Sequence, residues 1–412
     1  MIMDDQNIIA GLRTQNIYAL GIIWSCFTFA IGACVGSFLN VVIYRLPRDL
    51  SLVSPGSMCP SCSKSIRFYH NIPIFSWLML GGKCKYCSAG ISPRYLIVEA
   101  ITACCYLGVF LLYFGKSFGL IEFQIRGGIP AWSDFGWVIF LLHMILVSSF
   151  LAASAIDLEL WVIPLSICWF TTLAGLVISS VAVFGIDFSV IRTYDLLPSA
   201  HSGKAALAAG GLVGMIISLI MLFTGMIKSS YESQNQEKAN FDKPEPDPDD
   251  PNFNHRLEVL KEILFLLPII ICSVGFYLIT QKFSQVGQWW MDFSQIPAIA
   301  GFTGSLLGYF AGCGIVWGTR ILGTLAFGKE AMGLGDVHLM GAAGAVIGAL
   351  PVVVAFFIAP FFGLAWAIYQ MFFKKTRQIP YGPFLSMAVF IVMIAHNPIM
   401  DYIYKLFFYR QF

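Results

Sequence analysis

Ten apolar runs, most of them near twenty residues long, leave this chain very few ways to fold. They lie near 17–44, 96–114, 136–156, 161–184, 205–227, 259–280, 298–325, 338–349, 351–373 and 382–404. The hydrocarbon core of a bilayer is crossed by about twenty apolar residues in a helix, and backbone surrounded by lipid must satisfy its own hydrogen bonds. The chain therefore reads as an all-α polytopic membrane protein with about 8–10 transmembrane segments. The run before Pro351 is short for a span and is expected to be tilted or partly re-entrant. The chain is 58% hydrophobic and only 12% charged, whereas soluble domains are about 25% charged. A formal net charge of +2 gives no reason to expect a nucleic-acid partner. Residues 1–15 are polar and carry a single base, Arg13, unlike the basic start of a cleaved signal peptide, so the first span is expected to stay.

Basic residues collect on the cytoplasmic side of a bilayer. With the loop 45–95 placed there and the spans alternating, 17 of the 25 Lys and Arg fall on that side. The arrangement sets the N-terminus outside and puts Asp157 and Asp336 at cytoplasmic helix ends. Five regions follow: 1–44, an N-terminal tail and first span; 45–95, a small polar domain; 96–227, the first part of a membrane core; 228–258, a linker; and 259–412, the second part of that core. The linker contains Lys243-Pro-Glu-Pro-Asp-Pro-Asp-Asp-Pro251, a proline-rich acidic run with nothing to bury, expected to be disordered or extended.

The eleven cysteines are not one set. Seven lie in apolar runs, where a thiol acts as a small hydrophobe. The other four are Cys59-Pro-Ser-Cys62 and Cys84-Lys-Tyr-Cys87, in the polar loop. Two such knuckles at this separation match a four-thiolate zinc site of the zinc-ribbon kind, each supplying two ligands from one tight turn. A loop of about fifty residues has little core, so the metal would hold it together. Disulfides and a redox pair are the alternatives; a cytoplasmic placement disfavours the first, and the doubling of the motif disfavours the second. Four thiolate ligands leave no open position for catalysis.

Two acids stand out because a carboxylate at the edge of hydrocarbon is costly. Asp336 follows Lys329-Glu-Ala-Met-Gly-Leu-Gly335, in which Gly333 and Gly335 permit a sharp turn and a close approach of another chain. Asp157 ends the run Phe150-Leu-Ala-Ala-Ser-Ala-Ile156. Taken singly, each also reads as a helix cap, Asp336 for a helix starting near Val337 and Asp157 for one starting near Leu158. Taken together, two carboxylates sharing one proton would drive water attack on a peptide carbonyl, one as base and one as acid. Glu99, opening a span, is the best third acid, as a partner for a basic group. Glu159 is expected to point elsewhere, and His338 reads as a hydrogen-bond partner of Asp336 or an ordinary polar residue at a helix start.

With these motifs in place, the chain resembles the bacterial type IV prepilin peptidases, the bifunctional leader peptidase/N-methyltransferases. Gly36-Ser-Phe-Leu-Asn-Val-Val-Ile-Tyr-Arg-Leu-Pro47 resembles the opening signature of that family. The two cysteine knuckles, with Tyr69-His-Asn-Ile-Pro73 and Ile91-Ser-Pro-Arg-Tyr95, resemble its cytoplasmic zinc domain. Ile156-Asp-Leu-Glu-Leu-Trp-Val-Ile-Pro164 is similar to the first aspartate motif, and Gly333-Leu-Gly-Asp336 to the second. Ile379-Pro-Tyr-Gly-Pro-Phe384 is similar to a C-terminal motif. The resemblance implies that Asp157 and Asp336 are catalytic, with Glu330, Gly333 and Gly335 in the active-site motif. It implies a cytoplasmic-membrane enzyme that cleaves prepilins, or the pseudopilins of type II secretion, after a glycine at the cytoplasmic face. It further implies methylation of the new N-terminus from S-adenosylmethionine, for which no residues are assigned.

The chain departs from that pattern twice. It has four spans between the aspartate motifs where the family usually has about two; an even number keeps both aspartates on one side. It also has His338 where a lysine is usual. The competing readings are a transporter or assembly scaffold with the aspartates on a proton path, and a catalytically degenerate family member. The first would need polar relay residues, of which these spans offer few beyond Ser and Thr, and the intact aspartate and cysteine sets disfavour the second.

Overall fold

A computed structural model of the chain describes residues 2–59, 61–228, 230, 255–373 and 380–408, with backbone alone at 2–14, 373 and 408. The acidic run Lys243–Pro251 lies outside the described residues. Fourteen α-helices follow one another among the described residues: α1 (Ile2–Arg45), α2 (Phe75–Met79), α3 (Pro93–Phe114), α4 (Gly136–Leu160), α5 (Leu165–Val181), α6 (Phe188–Thr193), α7 (Ser202–Phe223), α8 (His255–Lys282), α9 (Ser284–Ser294), α10 (Pro297–Phe327), α11 (Leu334–Ile347), α12 (Ala349–Phe373), α13 (Gly382–Ile394) and α14 (His396–Phe408). The described residues form no sheet, only two isolated bridges, both in the polar loop.

Eight helices are long and apolar enough to cross a membrane, or nine if α13 and α14 count as one span. Four of the eight, α5, α7, α8 and α10, lie between Asp157 and Asp336, as the sequence predicts. The run before Pro351 is short, as expected, and the last run differs in form. Helix α11 is apolar but has only 14 residues, about 21 Å at 1.5 Å per residue, short of a 30 Å core. The last run is two helices bent by 87° rather than one rod. Helix α9 was not expected; its Trp290 is buried in a core cluster with Ala205 and Ala206, and the indole donates to the Ser202 carbonyl at 2.9 Å.

The chain divides into two compact units. The first comprises 1–174, 184–196 and 357–412. There α1 lies along α3 with the Asn40 side chain donating to the Tyr95 carbonyl at 3.1 Å. The contact is backbone on backbone: a Cβ on Gly36 would sit 2.7 Å from Glu99 Cα, the close approach that small residues permit between membrane helices. The buried Arg126 ties separate elements together, donating to the carbonyls of Met393, Asp195 and Leu196 at 3.0, 3.1 and 3.3 Å. Next to it the Tyr113 hydroxyl pairs with His143 Nδ1 at 2.7 Å.

The second unit comprises 175–183 and 197–356. Helices α7 and α8 are joined by two hydroxyl-to-carbonyl bonds, Ser218 to Phe265 and Ser273 to Leu207, both 2.7 Å. Helices α10 and α11 meet more tightly still. A Cβ on Gly308 would fall 1.9 Å from the Gly344 carbonyl oxygen, and one on Gly344 2.0 Å from that of Gly308. Ser305 adds a hydroxyl bond to the Ala345 carbonyl at 2.6 Å. The cross-helix bond costs no buried polar group, because the hydroxyl finds a partner where water is absent.

Candidate active site and metal centre

Asp157 lies in the last turn of α4 and is 6% exposed. The helix runs on to Leu160 and ends when Trp161 takes a left-handed conformation, φ 60°, its N–H bonded to the Asp157 carbonyl at 3.0 Å. No helix begins at Leu158, so the expected cap there is corrected. The carboxylate reaches another helix start instead: Gly382 N–H, the first residue of α13, donates to Asp157 Oδ2 at 3.0 Å. First-turn amides of a helix lack internal partners. Pro383 removes one of them, and Asp157 takes the neighbouring one. A Cβ on Gly382 would stand 2.7 Å from Asp157 Oδ2 and 3.3 Å from Cγ, so any other residue would make the docked carboxylate shift.

Asp336 is 9% exposed and lies in the first turn of α11, which starts at Leu334. Gly333 is the N-cap, with φ −70° and ψ 150°. Asp336 is therefore three residues inside the helix and is not its cap. The first-turn position still favours a negative charge through the helix dipole. The chain bends at Met332 and enters the helix through Gly333, although Gly333 has ordinary extended backbone and Gly335 is helical, conformations open to other residues. The carboxylate folds back toward the N-cap: a Cβ on Gly333 would lie 3.5 Å from Asp336 Oδ2. His338 Nδ1 sits 3.4 Å from the Tyr309 hydroxyl. Glu330 pairs with Arg320 Nη1 at 2.5 Å.

The other acids have structural partners. Glu159 pairs with Arg94. Glu99 is buried and accepts the backbone N–H of Ile74 at 2.7 Å. Its partner is thus an amide of the polar loop, not the base that was expected.

In the polar loop, Cys59, Cys62, Cys84 and Cys87 bring their sulfurs within 4.8 Å of one another. The two knuckles repeat one local design. Ser63 N–H bonds to the Cys59 carbonyl at 2.8 Å and Ser88 N–H to the Cys84 carbonyl at 2.9 Å. Both serines have left-handed backbone, φ 54° and 57°. A bridge closes each knuckle, Met58 with Ser65 and Lys83 with Gly90. Zinc–thiolate bonds of about 2.3 Å in a tetrahedron give sulfur–sulfur edges of about 3.8 Å; Cys59 and Cys87 are 3.8 Å apart. The N–H groups of Cys62 and then Ser61 lower the Cys59 thiol to about 6, whereas, against the Ala89 N–H, burial and the neighbouring sulfurs push the Cys87 thiol up to about 11. The donor set fits a four-thiolate zinc ion.

Comparison with known proteins bears on both centres. Residues 30–113 match the bacterial peptidase A24 N-terminal domain, and 263–368 match the type IV leader peptidase family. A prepilin leader peptidase/N-methyltransferase of Klebsiella pneumoniae is 31% identical over 208 residues, which cover 46% of this chain and 80% of that protein. The chain belongs to the prepilin leader peptidase family. Another family member, from Neisseria gonorrhoeae, is 30% identical over 44% of this chain and 68% of its own length. One from Myxococcus xanthus is 38% identical over 44% of this chain, and there the chain spans about half the relative's length, 47%. No solved structure matches the chain. Of the motifs that resemble the prepilin leader peptidase family, the cysteine knuckles fall in the first matched stretch and Asp336 in the second. Asp157 lies between the two stretches.

Sequence reasoning did not connect Gly382 with Asp157, although both lie in motifs that resemble the family. It also passed over Glu262 and Arg320, each 2% exposed. The signal was present: both are charges inside apolar runs, subject to the same cost argument that singled out Asp336.

Proposed function

We propose that this chain is an aspartic endopeptidase of the cytoplasmic membrane that removes the leader of type IV prepilins or type II secretion pseudopilins. Asp157 and Asp336 are its catalytic pair. The observation that carries this reading is that each carboxylate is buried at the start of a helix, Asp157 against Gly382 of α13 and Asp336 in the first turn of α11. Four apolar helices lie between them in the chain, an even number that supports a shared membrane face, and the bias of Lys and Arg supports a cytoplasmic one.

The chemistry follows from two carboxylates with one proton between them. The ionised one takes a proton from water as the oxygen attacks the scissile carbonyl after a glycine. The protonated one donates to the carbonyl oxygen as it becomes tetrahedral. Collapse breaks the C–N bond, and the proton taken from water passes to the departing amine. At Asp157, Gly382 N–H holds Oδ2, so the orientation of the carboxylate is fixed before substrate arrives. Gly333 and Gly335 carry no side chain on either side of Leu334, which leaves backbone open to an extended substrate segment lying beside it.

Cys59, Cys62, Cys84 and Cys87 would hold a structural zinc ion. The new N-terminal amine would then be methylated with S-adenosylmethionine as the donor; the relatives from Myxococcus xanthus and Klebsiella pneumoniae carry N-methyltransferase in their names. The test is incubation of the purified protein, in lipid, with a prepilin and S-adenosylmethionine, reading the product N-terminus by mass spectrometry. A product beginning immediately after the leader glycine is expected. An untouched prepilin would refute the reading.

A further inference from the structure

Arg320 is buried in α10, 2% exposed, and its guanidinium reaches out of α10 to neighbouring elements. Its Nε donates to Glu262 Oε1 of α8 at 2.9 Å. Its Nη1 donates to Glu330 Oε1 at 2.5 Å and to the Met332 carbonyl. Glu262 is itself fully engaged, accepting from the Trp317 indole at 3.0 Å and the Ser230 hydroxyl at 3.3 Å. One turn along α10, the Thr324 hydroxyl accepts the N–H of Ala331 at 3.3 Å. Residues 330, 331 and 332 are thus each fastened to the same face of α10.

This fastening lies immediately before the catalytic turn. Gly333, the N-cap of α11, follows Met332, and the Asp336 carboxylate folds back toward Gly333. Where the Met332 carbonyl is held, the N-cap is held, and with it the first-turn amides and the carboxylate beside them. A guanidinium is suited to this because its donors form a rigid planar fork that spans two acceptors at a fixed separation; an ammonium is a point charge and does not fix that separation. A plain structural ion pair would need only Glu262. The second arm of the fork, on Glu330 and Met332, is what reaches the loop.

We infer that Arg320, held by Glu262 of α8, is a positioning residue that sets the Asp336 turn for catalysis. It touches no reacting atom. The inference rests on the proposed role of Asp336, and it makes cleavage depend on the seating of α8, a helix remote from Asp336 in sequence.

The test uses the full-length protein in lipid with a prepilin substrate, measuring kcat, KM and thermal unfolding. Arg320→Lys keeps the charge but loses the fork; kcat is expected to fall about a hundredfold, the scale of a 1 Å misplacement, with KM within about twofold. Replacing both members by Glu262→Met with Arg320→Met separates stability from positioning, because an apolar pair of similar volume often restores what a buried ion pair contributes. A double variant that unfolds like wild type yet keeps the low kcat supports the inference. One that recovers both overturns it. If the double variant does not fold, Glu330→Gln decides, since that side chain is 27% exposed: reduced kcat with unchanged unfolding supports the inference, and wild-type kcat overturns it. Asp336→Asn serves as the control. Cleavage retained by Asp336→Asn would defeat the proposed function itself, whereas an inactive Asp336→Asn beside a fully active Arg320→Lys defeats only the positioning role.

Discussion

The Asp157 carboxylate accepts the amide of Gly382, a residue 225 positions away in the chain, at 3.0 Å. A glycine leaves room for that contact, because a Cβ there would stand 2.7 Å from the oxygen that accepts the bond and the carboxylate would have to shift. Gly382→Ala is therefore expected to push the carboxylate off its amide and lower kcat about a hundredfold, with the protein still in the membrane. Steady-state cleavage at equal membrane abundance checks this, and wild-type kcat would show that the bond does not orient the acid.

Asp157→Asn and Asp336→Asn each remove the ability to hold or pass a proton while keeping shape. Each is expected to abolish cleavage without lowering the amount of protein in the membrane. Retained cleavage by either variant, scored by the gel shift of a prepilin, rules out a two-aspartate mechanism.

The four sulfurs that gather within 4.8 Å should hold one metal ion. Elemental analysis of the purified protein is expected to give about one zinc per chain, lost in Cys59→Ser and in Cys84→Ser. Because a loop of this size has little other core, chelation should also open residues 49–92 to protease. Absence of metal together with a protease-resistant loop would contradict the assignment.

Glu159 stands two residues from Asp157 but faces Arg94, and the two side chains are 37% and 30% exposed. A pair this exposed to solvent contributes about 0–1 kcal/mol. Glu159→Gln is expected to leave cleavage within about twofold and thermal unfolding nearly unchanged. A loss of activity comparable to that of Asp157→Asn would bring Glu159 into the chemistry.

Much of the architecture was legible because lipid leaves the backbone few alternatives. Apolar runs such as 136–156 and 298–325 had to be helices, and they are α4 and α10. The cysteine cluster was legible for a local reason: each knuckle folds on its own hydrogen bonds between Cys59 and Ser63 or Cys84 and Ser88. The bend between α13 and α14 was not legible, since apolarity alone does not distinguish one rod from two. The Asp157–Gly382 bond was hidden for a different reason, as nothing along the chain pairs a helix end with a helix start so far away. Arg320 shows the intermediate case. Its cost in an apolar run was visible, but the three acceptors that offset it come from α8 and from the loop before α11, and only folding brings them together.

The crossing of Gly308 and Gly344 carries a consequence for motion. Two helices in backbone contact, with each glycine lodged beneath the other's carbonyl, cannot slide or roll past one another without collision. Helix α11 is therefore geared to α10, and Asp336 rides at the end of a two-helix lever instead of on a free short rod.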